Sequence, residues 1–291
     1  MDKLFYRIAD HLICLHTPQA EVTRAMLPNY TPFEVGSPRG DQKVLLNVFG
    51  GCTCCEETTD ELLEEVQDVA YHSHVYRKAD GAIRIVMRYQ GIEEIGCFSD
   101  DWHTLHCTSP LDTPKARYLI DRFTMIAFSI LTGRLGMLKV HASVTELEGR
   151  ALVFMGVSGT GKSTHSRLWR QLVPGATLLN DDEPIVRLMP DGSVRVYGCP
   201  WSGSTPCYRS ESAEVAAFVH LYQASENKLT KLSGREAFYS LYSSTAFMLS
   251  DQKSRFAAFN IVADVLERIP LYRLDCRPDE EAVSLTRSLL K

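Results

Sequence analysis

No apolar run in this sequence is long enough to cross a bilayer. The richest, Met125-Ile126-Ala127-Phe128-Ser129-Ile130-Leu131, lies between Arg122 and Arg134, well short of the roughly 20 residues that a spanning helix needs. The opening Met1-Asp2-Lys3-Leu4-Phe5-Tyr6-Arg7 has neither an apolar signal core nor a small-residue cleavage site. These absences set the expectation of a cytoplasmic protein with no membrane partner. Basic excess is missing too: 31 Lys and Arg against 36 Asp and Glu leave a formal charge of −5. Without a lysine- or arginine-rich block there is no footprint for a phosphate backbone, so no nucleic-acid partner is expected. Internal repeats and low-complexity segments are absent. The nine cysteines are odd in number and scattered, which in a cytoplasmic chain predicts reduced thiols. Cys52-Thr53-Cys54-Cys55 has no second cysteine pair at finger-like spacing to complete four zinc ligands, and it reads as thiols in a turn. His103 and His106 read as decoration of a strand or its edge.

What the chain does have is a phosphate-loop pattern. Gly156-Val157-Ser158-Gly159-Thr160-Gly161-Lys162-Ser163 fits G-x-x-x-x-G-K-[ST], follows the apolar run Ala151-Leu152-Val153-Phe154-Met155, and precedes a helix-compatible segment from Ser163 to Trp169. Glycines let the backbone curl until successive N–H groups face inward, and the positive end of the next helix continues that nest. Lys162 adds a cation for the β- and γ-phosphates, and Ser163 offers a hydroxyl to Mg2+. The expected nucleotide contacts are therefore Gly156, Ser158, Gly159, Thr160, Gly161, Lys162, Ser163 and Thr164, with ATP and Mg2+ as cofactors.

With 291 residues, 45% of them hydrophobic, the chain can hold one large α/β domain or two smaller ones. Residues 1–111 read as a β-rich N-terminal module, in which Lys43–Phe49 and the period-two run Ile83, Ile85, Met87, Tyr89 are strands of an antiparallel sheet. A connecting helix is expected within 112–137, opened by Asp112-Thr113-Pro114 and continuing from Tyr118 to Leu131 until Gly133 or Gly136. Residues 138–291 form the second module. Its opening strand, Leu138–Val144, turns at Glu148-Gly149 and returns through Ala151–Met155, a hairpin that sets His141 opposite Gly156. Ala176–Asp182 reads as a strand ending in two carboxylates, and ligands gather at the carboxyl ends of strands in α/β sheets. Further strands are expected at 185–188, 194–197, 215–222 and 228–232, and helices near 234–249, 251–267 and 278–290. Trp201 reads as a core aromatic. Arg209 is open between an anionic ligand and a surface salt bridge.

Phosphoryl transfer needs phosphate clamps, a metal, and a group to orient or deprotonate the acceptor. Of Asp181 and Asp182, one can hold Mg2+ while the other takes the proton. The set Val140-His141-Ala142-Ser143, Phe154 to Thr164 and Leu179-Asn180-Asp181-Asp182-Glu183 resembles the shared core of HPr serine kinases and ATP-dependent phosphoenolpyruvate carboxykinases. Short bacterial HPr-kinase-like proteins are also similar over Tyr197–Gly203 and Ile269–Leu274. The resemblance implies a P-loop-containing PEP carboxykinase/HPr kinase-like C-terminal domain of α/β class beside a smaller β-rich N-terminal module. It implies an ATP-dependent serine kinase in which Asp182 accepts the proton, His141 stands near the transferred phosphate, Lys162 stabilises charge, and Ser163 and Asp181 hold Mg2+, with Mn2+ the other metal used in such sites. It also implies a protein or peptide acceptor with a serine hydroxyl and assembly into a homo-oligomer; presentation of that acceptor falls to the first module by elimination. The pattern departs from both relatives. Gly198–Ser204 replaces the kinases' Leu-Glu-Ile-Arg-Gly type segment, so a second metal carboxylate is unassigned, and Pro184 stands where the carboxykinases have histidine. A carboxykinase-like lyase acting on a small carboxylate and a non-catalytic ATP-responsive regulator are the competing readings.

Overall fold

Strands buried on both faces read as nearly unbroken apolar runs, and Ala151–Met155 is one. The computed structural model describes residues 1–53, 60–67, 71–203, 205–246 and 252–290, so of the Cys52–Cys55 cluster Cys54 and Cys55 lie outside the described residues. Cys52 is disulfide-bonded, which corrects the expectation of reduced thiols throughout: an odd and scattered cysteine count does not decide the state of any one thiol. Cys14, Cys97, Cys107, Cys199, Cys207 and Cys276 are not disulfide-bonded.

The architecture is mixed α/β, with two large sheets in two compact units, one of residues 1–131 and one of 132–246 and 252–290. In the first, strands β1 (Asp2–Ile8), β2 (His11–Thr17), β3 (Glu34–Val35), β4 (Val44–Phe49), β5 (Glu61–Gln67), β6 (His72–Arg77), β7 (Ile83–Tyr89), β8 (Ile92–Phe98) and β9 (Thr104–Cys107) form a sheet in the order β3-β1-β2-β4-β9-β8-β7-β6-β5. The expectation of an antiparallel module holds for the hairpins but not at the centre, where β2, β4 and β9 run parallel. Helix α1 (Ala20–Met26) follows β2, and α2 (Arg117–Gly133) follows β9 after a 3-10 turn at Pro114–Ala116. On α2, Phe123 meets Phe98 of β8 edge to face at 6.0 Å.

The second unit carries β10 (Met137–Val140), β11 (Ala142–Leu147), β12 (Arg150–Met155), β13 (Thr177–Asp182), β14 (Ile185–Leu188), β15 (Val194–Tyr197), β16 (Ser212–Gln223), β17 (Lys228–Leu232), β18 (Thr245–Ala246) and β19 (Leu271–Cys276). Its main path is β13-β11-β12-β16-β15-β14-β10-β18, with β19 joining β16 and β17. Alternation along β12 sends Ala151, Val153 and Met155 into one core and Leu152 and Phe154 into the other. The first core takes Ala237 and Leu241 of α4 (Gly234–Ser243) and Ala258 to Val265 of α5 (Gln252–Leu266). The second takes Trp169 of α3 (Lys162–Leu172) and Ala282 and Val283 of α6 (Glu280–Arg287). A bulge against β12 lets Val215 and Ala217 of β16, two residues apart, face opposite cores. The helix expected over 234–249 stops at Ser243. Among the described residues no helix is long and apolar enough to cross a membrane.

On the underside of α3, His165 packs edge to face on Phe154 at 4.6 Å, while Trp169 Nε1 donates to Thr286 Oγ1 at 2.8 Å. Burial lowers the His165 pKa from 6.5 to about 4, because an imidazolium there would lose its hydration. The folded value lies below the unfolded one, so the contribution is complete above pH 6.5 and is lost as pH falls toward 4. By urea denaturation, wild type should lose roughly 2–3 kcal/mol more than His165→Gln between pH 7 and 4.5; parallel losses would contradict a neutral buried imidazole.

Candidate active site

β11 lies between β12 and β13, and its two registers assemble the site. Ala142 pairs with Met155 on one side and with Asp182 on the other, while Ser143 faces Phe154 and Asp181. The β11–β12 register is the one expected from a turn at Glu148-Gly149, and His141 precedes Ala142 just as Gly156 follows Met155. The strand expected over Leu138–Val144 is, however, broken at His141. β10 pairs with β14 and β18, β11 pairs with β12 and β13, and the His141 N–H between them donates to Ser244 O at 2.7 Å. The chain changes neighbours at this residue, which frees the imidazole from either ladder's alternation.

The loop after β12 folds back on itself. Gly156 has φ 148°, and a Cβ there would come within 2.6 Å of Thr160 Oγ1, so only glycine fits. Thr160 Oγ1 donates to Val157 O at 2.8 Å and Gln223 Nε2 to Gly159 O at 3.1 Å. Helix α3 then begins at Lys162. Of the expected site residues, all but Gly156 and Thr160 line a cavity of about 350 Å³, joined there by Gly203; Gly156 and Thr160 shape the loop from within.

Lys162 is nearly buried, and its ammonium donates to His141 Nε2 at 2.8 Å, Gly156 O at 2.9 Å and Val157 O at 3.4 Å. With Nε2 accepting, the neutral ring carries its proton on Nδ1, which lies 3.1 Å from Asp182 Oδ1. Burial pulls the Lys162 pKa down, and the charges of Asp182 and Asp181 act against that. Asp182 is held above the ordinary aspartate value of 3.8, first by burial and then by the negative charge of Glu183; His141 and Lys162 work in the other direction. Ser163 Oγ donates to both Asp181 oxygens at 3.1 and 3.2 Å. A hydroxyl beside a carboxylate is an all-oxygen donor pair, the chemistry that a hard cation such as Mg2+ requires, so these residues fit the metal implied by the motif.

Several residues that shape the site had no role assigned to them from the sequence. Asn180 is fully buried; its amide donates to Trp201 O at 3.0 Å and its oxygen accepts from Glu183 N at 3.1 Å. Gly203 N donates to Asp181 O at 2.8 Å, and a Cβ on Gly203 would lie 2.9 Å from Asp182 Cβ. Asp182 itself holds φ 102°, a region that costs a non-glycine residue on the order of 1–3 kcal/mol. Glu183 is tied to Lys139 at 2.5 Å, both side chains largely buried. The turn from Asp181 to Glu183 is thus over-determined by Asn180, Gly203 and Lys139. Trp201 is buried, as expected of a core aromatic. Arg209 donates to Thr177 Oγ1 at 2.7 Å and Leu178 O at 2.9 Å and pairs with Glu211, which answers for a structural ion pair. His103 Nδ1 lies 2.6 Å from Leu45 O, and His106 stacks on Phe49 at 5.1 Å.

No family model matches the chain, and no curated protein matches it. Among solved structures it is similar to the Hpr(Ser) kinase/phosphatase from Coxiella burnetii. The match has 12% identity and a TM-score of 0.30 and covers 52% of this chain and 87% of that one, a likeness too distant to assign an activity.

Removing the Asp182 charge should move the Lys162 titration further down, because burial would then act with less opposition. Lysine side-chain NMR on wild type and Asp182→Asn measures this directly. An unchanged or raised Lys162 midpoint would mean that the two charges do not face each other.

Proposed function

We propose that this protein is a Mg2+-dependent kinase that transfers the γ-phosphoryl group of ATP to a hydroxyl. A serine of a protein or peptide is the acceptor that the motif resemblance implies. The reading rests on one observation: a glycine-rich loop with its lysine, a hydroxyl–carboxylate pair and a second carboxylate backed by a histidine all border one 350 Å³ cavity. A nucleotide-binding regulator needs the first two; the third is what an acceptor hydroxyl needs.

Each residue then has a task. The loop amides and Lys162 hold the phosphates, Lys162 exchanging one of its three present acceptors for a phosphate oxygen, and stabilise the charge that develops on them. Ser163 Oγ and the Asp181 carboxylate would hold Mg2+, which when bound neutralises charge on the β- and γ-phosphate oxygens. His141 binds one oxygen of Asp182 through Nδ1–H and leaves the other for the acceptor. Asp182 takes the hydroxyl proton as the acceptor oxygen bonds to the γ-phosphorus. The bond from that phosphorus to the β–γ bridging oxygen breaks, and its electron pair leaves with ADP. A base whose proton affinity is raised above that of a free carboxylate suits this transfer, and Asp182 is such a base.

The test is transfer of label from γ-labelled ATP, with Mg2+, into proteins and peptides. Asp182→Asn and Lys162→Ala should each lower transfer at least about a hundredfold, with ATP binding retained in the first and weakened in the second. The acid limb of the pH–rate profile should lie above the ordinary aspartate value of 3.8, since the base works only when deprotonated. Label that persists in Asp182→Asn would remove it as the base. Tight Mg2+-dependent ATP binding without transfer would favour a regulator, and conversion of oxaloacetate would favour the lyase.

A further inference from the structure

β5 is an edge of the first unit's sheet, and β6 is its neighbour. Their register sets Glu65 opposite His74 and Gln67 opposite His72. Alternation places His72 and His74, two residues apart on β6, on the same face as Glu65. Glu65 Oε1 lies 2.9 Å from His72 Nε2 and 3.7 Å from His74 Nε2, the two rings meet edge to face at 4.6 Å, and all three donor atoms lie within 4.8 Å of one another.

We propose that Glu65, His72 and His74 bind a divalent transition-metal ion, with Zn2+ the ion that best matches two imidazoles and one carboxylate. Bond lengths near 2.0–2.1 Å put the donors of a regular tetrahedral zinc site about 3.4 Å apart. The two distances from Glu65 fall on either side of that figure, and no pair of the three donors is more than 4.8 Å apart. A simple ion pair accounts for His72, whose ring reaches the carboxylate at hydrogen-bond distance. His74 brings a second imidazole nitrogen to 3.7 Å from the same oxygen, beyond hydrogen-bond reach. The nearby cations are engaged elsewhere: Arg88, paired with His72 across β7, binds Glu93 at 2.5 Å, and Arg84 binds Asp60 at 2.7 Å. The Glu65 side chain is 56% exposed and those of His72 and His74 are 34% and 25%, leaving an open side for water as fourth ligand. The bound ion ties the edge strand to its neighbour and stabilises the folded chain by mass action.

The experiment titrates Zn2+ into EDTA-stripped full-length protein in excess Mg2+, which occupies oxygen-only sites. One Zn2+ should bind per chain, and the melting temperature should rise with it. The double variant His72→Ala, His74→Ala should bind at least about a hundredfold more weakly, beyond the ten- to hundredfold typical of changes outside the ligand shell, while Asp181→Asn binds as wild type. In 1H–15N spectra of wild type, which need no variant to fold, the His72 and His74 imidazole resonances should move on Zn2+ addition. The proposal is overturned if those resonances stay in place, or if Zn2+ binding survives in the folded double variant.

Discussion

The position of β11 between β12 and β13 is the constraint on which the site depends. Ala142 is hydrogen-bonded into ladders that fix Met155 on one flank and Asp182 on the other. A slip of one residue in either ladder would turn every side chain of that strand to the opposite face, and the two cores that sandwich the sheet forbid it. Val144 and Val153 belong to one core and Phe154 to the other, so the register is held by packing on both faces. His141, Gly156 and the acid pair then come together because His141 precedes β11, Gly156 follows β12 and Asp181 and Asp182 close β13 at the same end of three adjacent strands.

The chemistry sits where regular structure gives out, and the surroundings offset the cost. Asp182 adopts a backbone conformation that most residues avoid, and Lys162 is an ammonium with little access to water. Neither would persist on an unsupported loop. Asn180 satisfies backbone groups on both sides of the turn, Gly203 supplies the only side chain small enough to pass Asp182 Cβ, and Lys139 neutralises Glu183. Lys162 has three acceptors for its three N–H bonds. Rigid support of this kind holds a charged constellation in place without reorganisation.

Some local signals in the sequence were sound and others were not: the expectation of a helix over 234–249, for one, ran past the helix's end at Ser243. The loop pattern, the hairpin register and the strand ending in Asp181 and Asp182 all follow from residues a few positions apart. The break at His141 was hidden because Leu138–Val144 alternates well enough to pass for one strand. What divides it is tertiary: β14 and the two-residue β18 claim one half, and β12 and β13 claim the other. The parallel centre of the first sheet was hidden for the same reason, since β4 and β9 are brought together across more than fifty residues. Glu65 and His74 likewise meet through a ladder whose register shifts between Leu62 and Glu64, and no spacing rule anticipates that. Gly203 lies twenty-one residues from the carboxylate it accommodates, and its role exists only in three dimensions.

The charges around the cavity bear on how a nucleotide would enter it. Asp181 and Asp182 contribute two carboxylates and Lys162 one ammonium, so with His141 neutral the cavity has a formal excess of one negative charge. A triphosphate arriving alone meets both carboxylates, and the loop amides and Lys162 counter only part of that repulsion. On the proposed reading Asp181 changes sides once a divalent cation shared with Ser163 neutralises its charge: the carboxylate that would repel a free nucleotide would then anchor a cation–nucleotide pair. On the proposed reading, nucleotide and metal affinities are therefore coupled through Asp181, each strengthening the other by the same factor, as linkage requires. Asp182, 3.1 Å from His141 Nδ1, lies outside that pair and on the same reading would be left for the acceptor proton. The adjacent acids can divide the proposed work because one lies against Ser163 at the start of α3 and the other against His141 at the strand break.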